Sequence, residues 1–373
     1  MRMIDRGLVF DGSHAPPDQV CSAFTSLALL SDGAVLCSFG AGTTKAGPDA
    51  NGIIMKSMDG GVTWSRLAER FDTTVDDTPG SINCVYPIEL SPGRLLCSFM
   101  WVDRSDPTLP LANPDTNGLL PLKTLLAESN DGGRTWNDMR EVDLRPHKAN
   151  ALTNELIRLD TGDLLLAYES WREWEETEGT QAAYVRLSSD DGRTWSDGYT
   201  MASDPKQGLY FWDNRIAKDP TTGRLVVMYW THRPAEGVDT DMHIAFGEPD
   251  GRAWTQPRSM GIAGQIAAPL PLRDGRLLCF YVHRHDPPSM RLVMSNDGGQ
   301  TWDATNELVV YESGRGREAG MGESRKDAEY WADMFRWTFG HPKAIELADG
   351  RVLLAWYGGD GKTLSIHRAH VEV

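Results

Sequence analysis

Four short segments are almost identical, and they decide the fold: SMDGGVTW (57–64), SNDGGRTW (129–136), SSDDGRTW (188–195) and SNDGGQTW (295–302). A fifth segment, GEPDGRAW (247–254), is a degraded copy of the same pattern, S-x-D-x-G-x-T-W. The pattern predicts a hairpin turn, because an Asp side chain caps backbone amides, a Gly adopts positive φ and a Trp packs between sheets. Four intact copies indicate a fold built from a repeated unit.

A second repeat lies upstream of each of these segments. Two apolar runs separated by a polar, Gly-containing turn occur six times: 27–39, 87–99, 156–168, 216–229, 270–281 and 344–356. Each repeat predicts two strands joined by a tight hairpin, and the S-x-D-x-G-x-T-W turn adds two more strands. The sequence therefore predicts an all-β fold, a six-bladed β-propeller that occupies residues 1–373 as a single domain. Residues 7–10 are expected to supply the missing strand of the last blade and close the ring.

Composition limits the possible partners and compartment. The net charge of −16 disfavours nucleic acid and anionic membrane surfaces, because the global field repels both. No secretion signal is recognisable in residues 1–12, and no run of about 18 apolar residues is present. Five cysteines, an odd number without disulfide-like spacing, indicate a reducing compartment. We therefore expect a cytoplasmic protein.

The predicted topology assigns the two kinds of turn to one face of the ring and the ligand site to the other, where long polar and aromatic loops occur. Counting back from each polar-Gly turn gives two sets of equivalent positions on the inner strands, which alternation directs toward the channel. The first set is Ser26, Tyr86, Glu155, Arg215, Ala268 and Lys343. The second set is Phe24, Cys84, Thr153, Asp213, Ile266 and His341. Burying a charged residue at such a position costs free energy unless the residue is paired or functional, so these residues are site candidates. The alternative is a channel lined by polar groups that form hydrogen bonds and ion pairs with one another.

The ends of the second strands add aromatic residues next to charged ones, a combination that suits sugar binding. These candidates are Glu169, Trp171, Arg172, His232, Arg233, His283, His285 and Tyr357. The alternative for any one of them is an exposed loop residue. We predict a small-molecule or oligosaccharide ligand. We predict no metal site and no cofactor, because His-Arg-His at 283–285 is not an established metal spacing.

These repeats resemble the sialidase (neuraminidase) superfamily, whose Asp-box motif and six-bladed propeller match nearly the whole chain. The resemblance implies a site with three arginines, a tyrosine nucleophile assisted by a glutamate, and an aspartic acid as general acid. On this chain Glu155 corresponds to the glutamate, Asp49 in the loop 42–52 to the acid, and Arg215 or Arg172 to one arginine. The chain departs from the family at the first arginine, where Phe24 lies, and at the tyrosine, where His341 lies.

The function favoured by the sequence is an exo-acting glycoside hydrolase acting on a sugar other than ordinary sialic acid. Glu155 would be the base or nucleophile helper, Asp49 or Asp213 the acid, and His341 a base or proton shuttle near neutral pH. Two alternatives remain open: a lyase directed at uronates, in which Arg215 or Arg233 neutralises the carboxylate, and a propeller that binds a glycan or a protein without chemistry.

The connection 303–340 is longer than its counterparts and leads directly to His341. Its second half has apolar residues at helical spacing, which predicts a short helix over 327–337 that overhangs the channel. In this lid, Trp337 would wall the pocket and Arg336 would point toward the ligand. The alternative is a helix that packs on the rim and only adds stability.

Overall fold

The computed structural model describes residues 1–68, 70–147, 149–314 and 333–373. The chain is an all-β protein whose sheets have a β-propeller arrangement. Three short 3-10 helices occur in the described residues: Gly12–His14, Pro17–Gln19 and Ala304–Asn306. No helix within these residues has the length and apolar character needed to span a membrane.

The strands follow one another as antiparallel groups. The first group, after β1 (Arg2–Phe10), is β2 (Cys21–Leu29), β3 (Val35–Gly42), β4 (Asn51–Ser57) and β5 (Ser65–Arg66). The second is β6 (Gly80–Ser91), β7 (Arg94–Asp103), β8 (Leu122–Ser129) and β9 (Asn137–Glu141). The third is β10 (Ala149–Leu152), β11 (Ile157–Arg158), β12 (Leu164–Trp171), β13 (Ala182–Ser188) and β14 (Tyr199–Ser203).

The remaining strands repeat this order. The fourth group is β15 (Tyr210–Lys218), β16 (Leu225–Arg233), β17 (Val238–Asp239), β18 (Asp241–Gly247) and β19 (Arg258–Ala263). The fifth is β20 (Ala267–Pro271), β21 (Leu277–His283), β22 (Ser289–Ser295) and β23 (Leu308–Glu312). The last is β24 (Phe339–Glu346), β25 (Val352–Gly359) and β26 (Leu364–Glu372), and β1 pairs antiparallel with β26. A single parallel pair, Cys21 with Leu364, joins this last group to the first in one eight-stranded sheet.

The core lies between neighbouring groups. Every residue of β3 is buried, and β7 is buried along its interior, because strands covered on both faces carry apolar residues without alternation. The first strands of the groups also contact one another: β2 lies against β24 and β6, and β20 lies against β15 and β24. These contacts place the first strands around a common centre.

The repeated turns have the predicted geometry. In the segment 188–195, Ser188 Oγ donates to Asp190 Oδ1 (2.8 Å), and the backbone N–H groups of Arg193 and Thr194 donate to the same oxygen (3.0 and 2.9 Å). Gly192 has φ 82°, and the Thr194 hydroxyl donates to Asp190 Oδ2 (2.6 Å). The same bonds recur around Asp59, Asp131 and Asp297. Each aspartate carboxylate thus accepts hydrogen bonds from backbone N–H groups of its own turn, in place of backbone carbonyl oxygens.

Contacts between turns show which face they share. Polar-Gly turns of neighbouring groups are linked by Glu89 to the N–H of Ser31 (2.6 Å) and by Asp160 to Lys218 (2.6 Å). Beside the polar-Gly turn of the second group, Arg94 pairs with Asp191 in the segment 188–195 (2.6 Å). Both kinds of turn therefore lie on one face, and the opposite ends of the first two strands of each group are free to form a site.

Candidate functional site

A cavity of about 160 Å³, here called the first cavity, lies at those opposite ends. All six residues of the second predicted set line it: Phe24, Cys84, Thr153, Asp213, Ile266 and His341. Most of the other lining residues are apolar or aromatic, and four are tryptophans: Trp171, Trp212, Trp230 and Trp337. Counting from the turn glycines thus locates the ring of residues that surrounds the cavity.

The backbone at three of these positions departs from regular strand geometry. Phe24, Asp213 and His341 have φ of 61°, 48° and 56°, and the pairing with the next strand is interrupted at each of them. Positive φ is unfavourable for bulky residues and recurs at functional sites that the surrounding structure holds in place. These three bulges redirect side chains from β2, β15 and β24 toward the cavity.

Glu169 and Asp213 bring two carboxyl groups into the first cavity from neighbouring groups of strands. Glu169 Oε1 accepts the backbone N–H of Asn214 (3.1 Å). Burial raises the pKa of Glu169 to about 8, and the nearby Asp213 charge adds to this shift, whereas the hydrogen bond from Asn214 opposes it. At neutral pH Glu169 therefore carries a proton.

Asp213 forms an ion pair with Arg215, whereas no ion pair of Glu169 occurs within the described part of the chain. Asp213 Oδ1 lies 2.6 Å from Arg215 Nη2, which is ion-pair distance. Burial raises the pKa of Asp213, and Arg215 opposes that rise. Since Arg215 favours the charged form, we assign the negative charge of the two carboxyl groups to Asp213. The Asp213 side chain is 19% exposed, so a ligand in the cavity can reach it.

His341 holds the other side of Arg215. Its Nε2 lies 2.6 Å from Arg215 Nη2, and its Nδ1 lies 3.1 Å from the carbonyl oxygen of Thr25. Because a guanidinium only donates, Nε2 accepts and Nδ1 carries the proton. Burial and the charge of Arg215 hold the pKa of His341 well below its usual range. In this arrangement the lone pair of His341 Nε2 accepts from Arg215, and the role of His341 as a base near neutral pH stays a prediction.

Glu155 and Lys343, both of the first predicted set, pair with each other and do not line the first cavity. Burial lowers the pKa of Lys343, and Glu155 opposes that shift. The roles of Glu155 as base or nucleophile helper and of Lys343 as a ligand-binding group stay predictions. Of the first set, only Arg215 lines the cavity.

Asp49 also lies outside the cavity. Its carboxylate accepts the backbone N–H of Thr43 (2.9 Å) and the Thr43 hydroxyl, which closes the loop after β3. This local capping role explains why an aspartate occurs there. The role of Asp49 as general acid is not supported by its position.

Among the strand-end candidates, Glu169, Trp171 and Tyr357 line the first cavity, and five others do not: Arg172, His232, Arg233, His283 and His285. The ring of His232 stacks on Trp212 (4.7 Å between centroids), and its Nδ1 lies 2.9 Å from Asp239, so it supports the cavity wall from behind. Arg233 pairs with Glu236 at the surface (3.4 Å).

The other three strand-end candidates also have local partners. The Arg172 guanidinium lies 4.7 Å from the centre of the Trp171 ring and donates to backbone carbonyls. His283 and His285 contact each other edge to face (5.4 Å) at the surface. Among the described residues, no three His, Cys, Asp or Glu side chains come together as possible metal ligands.

The predicted lid helix over 327–337 lies partly outside the described residues; Asp333 and Met334 are helical. Trp337 is buried and lines the first cavity. The Arg284 guanidinium lies 3.8 Å from the centre of the Trp337 ring and fixes it by a cation–π contact. Arg336 is exposed and lines a second cavity rather than the first, and its contact with a ligand stays a prediction.

Several lining residues were not among the candidates, and Lys45, Asn83 and Trp212 are examples. Asn83 and Trp212 each directly precede a residue of the predicted set, and strict alternation would turn them away from the channel. Lys45 lies in the same loop as Asp49, where its Nζ donates to the Tyr357 hydroxyl (2.7 Å) and to the Met334 carbonyl (2.5 Å). The sequence feature that could have identified Lys45 is its position in a long loop on the face that carries the site.

Comparison with known proteins shows what this chain is similar to in fold. No protein-family model matches it. A sialidase of Micromonospora viridifaciens is 25% identical over 208 residues, which cover 49% of this chain and 31% of that protein, so the match spans about a third of the relative's length.

Three solved structures are similar over almost the whole chain. They are a protein of unknown function from Dyadobacter fermentans (TM-score 0.74, 18% identity, 100% of this chain and 99% of that one), an α-L-arabinanase of Penicillium chrysogenum complexed with arabinobiose (0.64, 16%, 99% and 98%) and a sialidase of Trypanosoma rangeli in complex with the inhibitor DANA (0.60, 11%, 94% and 55%). At these identities the similarity concerns the fold: the chain has a sialidase-like β-propeller.

Proposed function

We propose that this protein is an exo-acting glycoside hydrolase with Glu169 as general acid and Asp213 as its ionised partner. The observation that carries the proposal is a pair of carboxyl groups, Glu169 and Asp213, that line one cavity, with Arg215 at ion-pair distance from Asp213 only. Burial raises the pKa of Glu169 to about 8, and Arg215 favours the charged form of Asp213. Carboxyl groups whose environments push their pKa values apart are the arrangement that glycoside hydrolysis requires.

In the proposed reaction, Glu169 donates its proton to the oxygen of the glycosidic bond as that bond breaks. Asp213 stabilises the positive charge that develops at the anomeric carbon, and it either attacks that carbon or takes a proton from a water molecule that does. Arg215, positioned by His341, favours the ionised form of Asp213. The anomeric configuration of the first product, followed by NMR, distinguishes the two routes for Asp213.

The walls of the cavity indicate which sugars fit. Trp171, Trp212, Trp230 and Trp337 offer flat apolar surfaces suited to the apolar face of a sugar ring. Arg215 is the one arginine among the lining residues of the described chain, so a three-arginine clamp for a sialic acid carboxylate has no counterpart there. We therefore propose a neutral sugar, rather than sialic acid, in the first cavity.

Turnover of a panel of aryl glycosides and oligosaccharides, with Glu169→Gln as the matched inactive control, tests the proposal. We expect release of a single terminal sugar from one class of substrate by the wild-type protein alone. Calorimetric binding on the same panel is the parallel measurement. Binding of a sugar without turnover of any substrate would contradict the hydrolase and support the second candidate, a non-catalytic glycan-binding propeller, which the four tryptophans favour. The lyase alternative has less support, because His341 is already an acceptor for Arg215.

We further propose that the propeller has six blades, that the repeated turns are Asp boxes and that residues 1–373 form one domain. The eight-stranded sheet then comprises two blades, since only the pair Cys21–Leu364 joins β26 to β2. The pairing of β1 with the last strand, from Arg2–Glu372 to Phe10–Ile366, supports closure of the ring by the N-terminal strand. Deletion of residues 1–10 tests this closure, and we expect a large loss of thermal stability. A melting temperature equal to that of the full chain would contradict it.

A further inference from the structure

A second cavity of about 630 Å³ adjoins the first. The two cavities share four lining residues, Lys45, Leu111, Phe335 and Trp337, so they meet at this wall. The rest of the second cavity is formed by the loops after β3 and β7 and by the turn before β26. A ligand that fills the first cavity and extends beyond it would enter the second.

The charge of the second cavity is opposite to that of the whole chain. Four basic residues line it, Lys45, Arg104, Arg336 and Lys362, and no Asp or Glu of the described residues does. The chain as a whole has a net charge of −16. A cationic cavity on an anionic protein is a local feature, and it attracts anionic groups at short range where the global field is screened.

Arg104 makes this charge a built-in part of the cavity. It is 5% exposed, and its guanidinium donates to the Ser81 hydroxyl (2.9 Å) and to the Ala46 carbonyl (3.0 Å). Among the described residues no carboxylate lies within ion-pair distance of it, although the charge of Asp103 acts on it from farther away. A buried cation with neutral hydrogen-bond partners retains its attraction for an anion.

The exposed cations are similarly available. Arg336 and Lys362 have exposed side chains, and no carboxylate of the described chain forms an ion pair with either of them. The acidic residue nearest in sequence to Lys362, Asp360, accepts the backbone N–H groups of Lys362 and Thr363 through its Oδ1 (2.9 and 3.0 Å).

We propose that the second cavity binds the oxyanion of an acidic sugar residue, a carboxylate or a sulfate ester, that is attached to the sugar held in the first cavity. Its position as a subsite rests on the proposed function; anion binding itself does not. The substrate class is then an acidic oligosaccharide or glycoconjugate with a neutral terminal sugar, and the cations bind the part that leaves. Guanidinium and ammonium groups provide the charge-assisted hydrogen bonds that such groups require.

The test measures binding of galacturonate, galactose 6-sulfate and neutral galactose by ligand-detected NMR titration of the Glu169→Gln protein, and these monosaccharides offer no glycosidic bond to hydrolyse. We expect both anionic sugars to bind at least about tenfold more tightly than galactose, and the tighter one identifies the preferred oxyanion. In the double variant Arg336→Ala/Lys362→Ala, the affinity for the anions should fall by about threefold per charge removed, with galactose unaffected. The matched control, Lys206→Ala, removes an exposed lysine that lines neither cavity and should change nothing.

Equal affinity for anionic and neutral sugars, or equal weakening by Lys206→Ala, would overturn the anion site. Thermal melting of every variant checks that its fold is intact. Anion binding without hydrolysis of any substrate by the wild-type protein would leave this site in place and contradict the proposed hydrolase. Hydrolysis with no preference for anionic substrates would support the proposed hydrolase and contradict the anion subsite.

Discussion

Aspartates on the two faces of the propeller experience opposite environments. Asp190, in a repeated turn, accepts hydrogen bonds from Ser188, Arg193 and Thr194, and the hydroxyl of Thr194 contributes most to lowering its pKa to about 2. Asp213, at the cavity, has a raised pKa because it is buried, and Arg215 only partly offsets that rise. Aspartate thus has several hydrogen-bond donors around its carboxylate on one face, and on the other face its carboxylate is buried at a cost in free energy.

Other polar groups follow the same division. Several cavity side chains have buried polar atoms without a hydrogen-bond partner in the described chain: both amide atoms of Asn83, the Thr153 hydroxyl, and Nε and Nη1 of Arg215. Native proteins satisfy nearly all such groups, so a cluster of exceptions calls for a missing partner such as a ligand or water. From this difference we infer that the repeated turns contribute to stability, whereas the irregular ends of the same strands contribute to binding and chemistry.

The largest effect that tests this division is on turnover. Glu169→Gln keeps the shape of the side chain but cannot donate an acidic proton, so kcat should fall by about 10²- to 10⁴-fold with thermal stability unchanged or raised. Asp190→Asn, on the other face, should retain kcat. Equal loss of activity in the two variants would remove the functional distinction between the faces.

The pH dependence of stability should differ in sign between the faces. For Glu169 the folded-state pKa of about 8 exceeds the unfolded value, so the folded state holds a proton that the unfolded state releases, and stability falls as pH rises from about 4.5 to 8. The free-energy difference between wild type and Glu169→Gln should change by about 1.4 kcal/mol per pH unit in this range, in favour of the variant as pH rises. For Asp190 the folded-state pKa is depressed, so its contribution is present above the unfolded pKa and is lost as pH falls toward about 2.

Chemical unfolding of wild type and Glu169→Gln between pH 5 and pH 8 measures the first slope. A difference independent of pH would mean that Glu169 titrates normally, and the contrast between the faces would then fail for this group.

The smallest effect concerns the turns themselves. Asp190→Ala removes the acceptor of several local hydrogen bonds and should lower the free energy of unfolding by about 1 kcal/mol, with ligand binding retained. Ser189→Ala, in the same turn and without a side-chain hydrogen bond in the described chain, is the matched control. A decrease in ligand affinity in Asp190→Ala would show that the turn face contributes to the site.

The regular part of the molecule was readable from the sequence because it repeats. The turn hydrogen bonds follow from the spacing of Ser, Asp, Gly and Thr, and counting from the turn glycines located Phe24, Asp213 and His341 at the cavity. Local rules suffice wherever the partners lie within a few residues of one another.

The chemistry of the site depends on contacts between strands that are distant in sequence, so the local rules for turns and spacing did not predict it. Burial and the charge of Asp213, which belongs to another group of strands, raise the pKa of Glu169. Glu155, whose position in the sequence resembles that of the sialidase glutamate, is instead paired with Lys343. The bulges that place Asn83 and Trp212 in the cavity break the alternation on which the predictions relied. A pattern of residue types identifies candidates, and only the packing of the strands assigns their protonation states.

The central claim is that Glu169 is protonated at neutral pH, and its titration tests this most directly. Glutamate labelled with ¹³C at the side-chain carboxyl gives one NMR signal per residue, and the signal missing in Glu169→Gln identifies Glu169. We predict a titration midpoint near pH 8, well separated from those of exposed glutamates. A midpoint below about pH 6 would contradict the account, because Glu169 would then be ionised under conditions where a general acid is required.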